Sequence, residues 1–380
     1  MKKTFIALST TALLLSSLHA ETAYKTELQQ LRQDVDILKA ENQQMKSEFE
    51  DNSKSGFQLA GYASFDYANT ENGDNAFSGA KFAPIFHYKY GDIFQFEGEL
   101  EFTVNSDGET DVEMEYAAGT LFINDYMGLQ MGKFMSPVGQ FVQNQHPSWI
   151  NKLPSTPVGF GHDGAAPTSN LGLALRGGLP AMGKIRSNYV IFVSNAPTFS
   201  IKPDGDIGIT AEGTTTSNDA AKTIGGRFAV NPVGGMEIGI SASTGEIADL
   251  INPDNTLFRD YDVFGADMMY NYMSFDFKAE YIQQKIGDNS ASTFEGGTWK
   301  AWYTQLSYQF SSFNVEPVIR YSDYQNPDLN RDQWAFGLNY LFANNLIAKL
   351  AYEYNTDKND ANADTAANND RVLAQFAFGF

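Results

Sequence analysis

Carboxylates are concentrated in one part of this 380-residue chain, at a spacing that would place them side by side. Glu97, Glu99 and Glu101 occupy every second position, and Glu113 and Glu115 repeat that spacing further along. Residues two apart on a β-strand point to the same face of the sheet. The pattern therefore predicts two neighbouring strands that share a carboxylate-rich face, where cations would concentrate and polar solutes would be oriented.

The opposite face of the same two segments is apolar, so the carboxylates would lie on only one side of a sheet. This alternation predicts a wall with water on its acidic face and an apolar medium on the other face. The residues assigned to the apolar face are Phe94, Phe96, Leu100, Phe102 and Val104 in the first segment, and Val112, Met114 and Tyr116 in the second.

Basic residues occupy the same water-facing positions in other segments of the chain. Opposed acidic and basic walls would set up a transverse field that orients polar solutes. Alternatively, these charges only keep the wall hydrated and pair across strands. The basic candidates for such a lining are Arg176, Arg186, Arg227, Lys278, Arg320, Lys349 and Arg371, together with Lys152 in a long loop.

The sequence shows no motif of a hydrolytic enzyme or of a metal centre. It contains no Cys and four His, and no metal-ligand spacing such as H-E-x-x-H occurs. We therefore expect no enzyme activity, no catalytic residues, no cofactor and no metal. The formal net charge of −20 argues against a nucleic-acid partner.

The last stretch of the chain, 370–380 (DRVLAQFAFGF), shows the same alternation in its clearest form. Val372, Phe376 and Phe380 fall on an apolar face with Ala374 and Phe378, and the other face is small or polar. A chain that ends on Phe in such a strand resembles the last strand of bacterial outer-membrane barrels. Phe380 is therefore expected to act as an assembly signal.

Similar segments recur from residue 57 to the end of the chain and predict an all-β fold, an antiparallel transmembrane β-barrel of about sixteen strands. Short turns alternate with long connections, which is typical of barrels with periplasmic turns and external loops. The long connections are predicted at 69–79, 136–169, 196–220, 247–260, 287–297, 325–333 and 358–369. The mean hydropathy of −0.33 also fits a barrel, because only half of its strand residues meet lipid. A β-sandwich or a soluble barrel is the competing interpretation.

The longest predicted connection, 136–169, follows the fifth strand. A loop at this place either folds into the barrel and narrows it or extends outside as a mobile loop. In a barrel of about sixteen strands the interior is an aqueous channel rather than a packed core. The direction of this loop therefore decides which charges meet the channel.

The amino-terminal residues predict a targeting segment and a helix ahead of the barrel. Residues 1–20 have two lysines, an apolar core and a small residue at a plausible cleavage point, as in a cleaved signal peptide. Residues 21–51 show a 3.5-residue apolar repeat, which predicts a coiled coil with a partner helix; a helix lying on the barrel or the membrane is the alternative. Residues 52–56 would be a linker and 57–380 the barrel. The residues of this repeat, which would contact the partner helix and form the seam of the coiled coil, are Leu28, Leu31, Val35, Leu38, Asn42, Met45 and Phe49.

Two segments carry a family resemblance. The sequence LQMGKFMSPVGQF at 129–141 resembles the G-[KQ]-F-x-x-P-x-G segment of the phosphate-selective porin O and P family, and the predicted coil is similar to the coils that precede the barrel in that family. The resemblance implies a trimeric porin in the bacterial outer membrane, with an inward loop. Phosphate selectivity in that family depends on stacked Arg and Lys residues, and no such ladder can be placed here.

These observations predict an exported outer-membrane porin for the passive diffusion of ions and small hydrophilic solutes. Its expected partners are the lipid bilayer and two further copies of the chain. The alternatives are an anion- or phosphate-selective porin and a structural or adhesive surface protein. Because the five carboxylates lie close together, we expect a weak preference for cations.

The predicted coil can be tested on the peptide 21–51. Leu31→Asp combined with Leu38→Asp should abolish helical association, because each change buries an unpaired charge in the seam. Circular dichroism and crosslinking measure helicity and oligomer size. A wild-type peptide that stays monomeric and unfolded at high concentration would contradict the coiled coil.

Overall fold

The structure is a computed structural model. It describes residues 39, 55–73, 75–105, 108–162, 164–201, 207–210, 221–251, 257–292, 295–359 and 368–380. The predicted signal peptide, the predicted coil apart from Lys39, and residues 52–54 of the predicted linker lie outside the described residues. The last two residues of that linker, Ser55 and Gly56, are instead the start of the first strand.

The described residues form eighteen strands and one short π-helical turn at Phe141–Gln145. None of their helices has the length and apolar character needed to cross a membrane. The strands are β1 (Ser55–Thr70), β2 (Asn75–Tyr90), β3 (Phe94–Val104), β4 (Thr110–Asn124), β5 (Met127–Met135), β6 (Ser169–Met182), β7 (Ile185–Asn195), β8 (Thr198–Ile201), β9 (Ile207–Thr210), β10 (Lys222–Asn231), β11 (Met236–Asp249), β12 (Leu257–Tyr272), β13 (Phe275–Ile286), β14 (Gly297–Tyr308), β15 (Val315–Gln325), β16 (Asn330–Ala343), β17 (Leu346–Asp357) and β18 (Arg371–Gly379).

Sixteen of these strands form one closed antiparallel barrel, as the alternation predicts. Each wall strand pairs with its neighbour in the chain, β7 pairs with β10, and β18 pairs with β1 to close the sheet. The other two strands, β8 and β9, form a hairpin inside the long connection predicted at 196–220. Closure leaves no sheet edge, so the wall can satisfy its own backbone polar groups in an apolar medium.

Several wall strands extend further toward the long-loop rim than the sequence predicts. The predicted loops 69–79 and 325–333 shrink to 71–74 and 326–329, because β1, β2 and β16 continue their pairing into them. The predicted boundaries therefore fail where strands continue beyond the apolar band. Polar strand ends carry no apolar alternation that could mark them in the sequence.

The last strand has the two faces that its alternation predicts. Val372, Phe376 and Phe380 are 41%, 39% and 47% exposed on the outer surface, whereas Gln375 and Ala377 are buried inside the barrel. Aromatic side chains also cluster on the outside near each rim, as in the aromatic belts of membrane barrels. Trp302, Tyr321 and Trp334 lie near the long loops, and Phe275, Tyr308, Phe310, Tyr340 and Phe342 lie near the short turns.

A β-bulge corrects one predicted side-chain direction. The pairing of β3 with β4 runs Glu99 to Tyr116 and then Leu100 to Met114, so Glu115 is the extra residue. The inserted residue reverses the parity of the strand. Tyr116 therefore points inward and donates a hydrogen bond to Glu99, whereas the uninterrupted alternation assigned it to the apolar face.

Phe380 lies at the seam that closes the barrel. Its backbone N–H donates to the Gly61 carbonyl at 2.9 Å, and its carbonyl accepts from the Gly61 N–H at 3.0 Å. Its ring stacks on Phe82 with centroids 5.9 Å apart and an interplanar angle of 13°. A Cβ at position 61 would lie 2.7 Å from the Phe380 ring and 2.5 Å from the Ala83 carbonyl oxygen, so this approach requires glycine.

Deleting Phe380 should reduce the amount of folded barrel, because it removes two seam hydrogen bonds and the ring that covers Gly61. Phe380→Tyr keeps the backbone hydrogen bonds and the stacked ring, and it should assemble normally. The heat-modifiable fraction on gels of envelope extracts measures assembly. Equal folded fractions for the deletion and the wild type would contradict a role for Phe380.

Candidate functional site

The loop between β5 and β6, residues 136–168, lies inside the barrel. Its residues form hydrogen bonds and ion pairs with inner-face side chains of β11, β13, β15, β16 and β17, on the far side of the barrel from where the loop begins. This is the inward course that the family resemblance implies. We call this segment the inner loop.

The inner loop begins with the segment that carries the family resemblance. Phe134 is buried, and its ring meets Phe192 edge-on at 6.2 Å on the inner face. Gly132 has a φ of +126°, and a Cβ there would lie 2.3 Å from the Ala117 carbonyl oxygen. The motif thus places a buried aromatic ring and a close approach between two backbones at the end of β5, where the inner loop begins.

The carboxylate of Glu280 on β13 holds the first turn of the inner loop. The backbone N–H groups of Gln140 and Phe141 donate to its two oxygens at 3.1 and 2.9 Å. Gly139 has a φ of +73°, and a Cβ there would lie 1.7 Å from Glu280 Oε1. The last glycine of the motif is therefore required both by its backbone conformation and by this contact.

Wall cations bind the middle of the inner loop. Arg320 donates to the Ser155 carbonyl at 3.0 Å, to the Ser155 hydroxyl at 2.8 Å and to the Thr156 carbonyl at 3.0 Å. Lys349 donates to the carbonyls of Asn151, at 2.6 Å, and of Ser148. Irregular backbone has few partners of its own, so these donors satisfy carbonyls that would otherwise be buried and unpaired.

Apolar side chains hold the inner loop at two further points. Leu153 is fully buried against Val318, Ala335 and Ala351 of the wall. Phe160 meets Tyr303 edge-on at 5.0 Å and packs with Phe141 at 5.9 Å. The loop is therefore fixed by apolar packing as well as by charged hydrogen bonds.

Most of the basic residues predicted to line the lumen lie beneath the inner loop or in ion pairs. Their positions are on the inner face, yet Arg227, Lys278, Arg320 and Lys349 are no more than 6% exposed. The pairs are Arg227 with Asp267 and Glu237 at 2.6 and 2.8 Å, Lys152 with Glu316 at 3.0 Å, Lys278 with Asp276 at 3.5 Å and Arg371 with Glu353 at 2.5 Å.

The wall formed by β2, β3 and β4 is more open and carries the predicted carboxylates. Glu97 pairs with His87 at 3.0 Å and Glu101 with Lys81 at 2.6 Å, and these four side chains keep between 14% and 36% of their surface exposed. Lys81 and His87 are functional candidates that the sequence reasoning missed. If residues are paired outward from the turn at 91–92, His87 falls opposite Glu97, as it does in the structure. The sequence could therefore have predicted this ion pair from the register of the hairpin.

Two of the five carboxylates are covered. Glu99 is 1% exposed, accepts a hydrogen bond from the Tyr62 hydroxyl at 2.8 Å and lies 3.8 Å from His146 of the inner loop. Glu115 is also buried, beside His162 of the inner loop. The inner loop therefore contacts the acidic wall through two histidines, while Glu97 and Glu113 remain open and Glu101 is paired with Lys81.

Below this wall, toward the short turns, lies a cavity of about 280 Å³ lined in part by Gln95, Glu97, Thr120 and Arg176. Arg176 is exposed and donates to Gln130 Oε1 at 3.4 Å. Arg186 is also exposed, near the short-turn rim on β7. These two arginines are the predicted basic residues that stay open to solvent on the acidic side of the barrel.

Comparisons with known proteins identify the same architecture. The family model described as "S-layer protein SlpA, beta-barrel domain" matches residues 186–339, which is under half of the chain. No curated protein matches. Among solved structures, the chain is similar to an anion-selective porin from Comamonas acidovorans, with 13% identity, a TM-score of 0.58 and coverage of 86% of this chain and 100% of that one.

Two further solved structures share the fold. The outer membrane channel DcaP of Acinetobacter baumannii has 10% identity and a TM-score of 0.57, with 86% of this chain and 97% of that chain covered. Salmonella typhi OmpF, in complex with daunomycin, has 16% identity and a TM-score of 0.58, with 87% and 99% covered. A porin-type barrel is thus the fold of this chain.

Replacing Arg320 with Met should release the inner loop from the wall, because it removes the donors to Ser155 and Thr156. Breaking a buried charged network costs about 3 kcal/mol, which corresponds to roughly a hundredfold higher population of the open loop. Limited proteolysis within 136–168 measures this opening. The same change at the exposed Arg186 is the matched control, and equal cleavage in both variants would contradict the anchor.

Proposed function

We propose that this protein is an outer-membrane porin that lets ions and small hydrophilic solutes diffuse passively. The observation that supports the proposal most directly is that the inner loop covers only one part of the inner face of the barrel. The inner loop covers the wall around β13 to β17, while the charged wall of β2 to β7 keeps exposed side chains. A closed barrel of this size without a fully packed interior provides an aqueous path.

On this proposal the path runs between the inner loop and the wall of β2 to β7. Charged groups on a narrow path matter more than the net charge of the molecule, because low-dielectric walls concentrate the field there. Charges in the external loops are screened beyond about 8–10 Å at ordinary salt. Selectivity should therefore follow the side chains along this wall.

The charges on this wall favour a weak preference for cations. The five carboxylates Glu97, Glu99, Glu101, Glu113 and Glu115 share this wall with the basic residues Lys81, Arg176 and Arg186. Two carboxylates are covered, and one is paired with Lys81, so the excess that solutes meet is small. A weak field of this kind orients solutes without binding them tightly.

An anion- or phosphate-selective porin is the alternative, supported by the family resemblance and by the fold shared with the anion-selective porin. A phosphate ladder requires basic side chains that are free to bind. Arg227, Lys278, Arg320 and Lys349 instead bind wall carboxylates or the inner loop. The contacts of these residues therefore favour the general channel over the phosphate-selective one.

The same proposal includes export by a cleaved signal peptide and assembly as a homotrimer in the outer membrane. The targeting pattern of residues 1–20 and the heptads of residues 21–51 support it. A coiled coil that precedes each barrel in the sequence would join identical subunits through the apolar contacts of its repeat, Leu28 to Phe49. The aromatic belts on the outer surface support a bilayer around the barrel.

A second candidate is a structural role at the cell surface, favoured by the match to the barrel domain of an S-layer protein. On this hypothesis the barrel anchors a surface assembly, and conduction is secondary. Electron microscopy of cells lacking the gene would show a detached or disordered envelope. An intact envelope together with slower solute uptake would support the channel instead.

Cation preference can be tested in planar bilayers with a salt gradient. Glu97→Gln combined with Glu113→Gln should shift the reversal potential toward anions, because both carboxylates are open to the proposed path. Glu99 is less suitable for this test, since it is covered by Tyr62 and His146. Asp92→Asn combined with Glu109→Gln removes the same charge outside the barrel wall and serves as the control.

The expected result is a reversal potential that moves in the lumen variant and stays constant in the control. A clear chloride or phosphate preference in the unmodified protein would overturn the cation assignment and support the alternative. Absence of any conductance from correctly folded protein would overturn the channel itself.

A further inference from the structure

We propose that His162, Glu113 and Glu115 form a site for a divalent transition-metal ion of the Zn²⁺ class, which links the inner loop to β4. His162 Nε2 lies 3.6 Å from Glu115 Oε1 and 3.8 Å from Glu113 Oε2. One ligand atom from each of the three residues lies within 4.8 Å of the ligand atoms of the other two. Within the described residues, this is the one such group of three potential ligands.

The distances between these atoms are close to those between two ligands of one metal ion. Zinc binds nitrogen and oxygen at about 2.0–2.2 Å, so two of its ligands in tetrahedral geometry lie roughly 3.3–3.6 Å apart. The two distances from His162 Nε2, 3.6 and 3.8 Å, are at or just above this range, and all three ligand atoms lie within 4.8 Å of one another.

The two carboxylates are placed by their strand. Glu113 and Glu115 are two residues apart on β4 and both reach the inner face, Glu115 as the extra residue of the bulge. The histidine is placed by a turn of the inner loop, in which Ala165 N–H donates to the Gly159 carbonyl at 2.9 Å and Gln284 Nε2 donates to the Gly164 carbonyl at 2.7 Å. Ligands from two anchored elements therefore converge before an ion binds.

The ligand set indicates the class of metal. Imidazole suits zinc, copper and nickel, whereas Mg²⁺ and Ca²⁺ prefer oxygen ligands alone. His162 and Glu113 are 47% and 46% exposed, so water can complete the coordination. Zn²⁺ should therefore bind here, and Mg²⁺ should compete poorly.

The other two histidines of the barrel provide matched controls. His87 pairs with Glu97 and His146 with Glu99, each with one carboxylate within 4.0 Å. His87 also lies on the acidic wall and is 30% exposed, but it belongs to no three-residue group. Replacing it removes an imidazole of the same wall without removing the proposed ion site.

A bound ion would add a link between the inner loop and β4 on the side where the proposed path runs. Zn²⁺ would neutralise the carboxylate excess there and narrow the gap, so conductance should fall. This consequence depends on the proposed channel function, whereas binding of the ion does not. The two are therefore measured separately.

Binding is tested by isothermal titration calorimetry of ZnCl₂ and MgCl₂ into the full-length, detergent-solubilised protein after EDTA treatment. Loss of one ligand should weaken Zn²⁺ binding by about tenfold or more in His162→Gln and in Glu113→Gln. His87→Gln should bind as the wild type does. Heat-modifiability of each variant shows that it is folded.

Conductance of the same proteins is then recorded in bilayers before and after ZnCl₂, with EDTA added last. The expected result is a reversible decrease in the wild type and in His87→Gln, and none in His162→Gln. No saturable Zn²⁺ binding, or equal affinity in His162→Gln, would overturn the site. Binding without any effect on conductance would overturn the link across the path, and absence of conductance in all variants would count against the channel alone.

Discussion

Backbone hydrogen bonding is the constraint on which this structure depends. An apolar medium outside the wall offers no partners, so each strand must pair on both sides, and the contact of Gly61 with Phe380 completes the circle. Irregular backbone inside the barrel meets the same requirement. The inner loop satisfies it with donors from the wall, chiefly Arg320 and Lys349.

That requirement divides the charges of the inner face into two groups. Around β13 to β17, charged side chains are buried and serve the inner loop, as in the contacts of Glu280 with the Gln140 and Phe141 amides. Along β2 to β7, charged side chains other than Glu99 and Glu115 stay partly exposed and remain available to solutes. A charge on the inner wall of a barrel is therefore a poor guide to selectivity until the path of the loop is known.

The sequence by itself determined the barrel, its count of about sixteen wall strands and the inward face wherever the alternation is uninterrupted. A two-residue alternation needs only lipid on one side and water on the other, so it can be read locally. Residues 370–380 illustrate this, since their predicted faces are the observed ones. The segment around Gly132 and Gly139 also marked the start of the inner loop, because its glycines meet close backbone and carboxylate contacts.

Only the tertiary structure decided which inward residues meet and which stay open. The bulge turned Tyr116 inward, because one inserted residue reverses all later positions on a strand. Arg320 contacts Ser155, which lies 165 residues earlier in the sequence. His162 contacts Glu115 because the inner loop brings it next to β4. Contacts of this kind depend on how a loop crosses an enclosed space, and no local periodicity encodes that path.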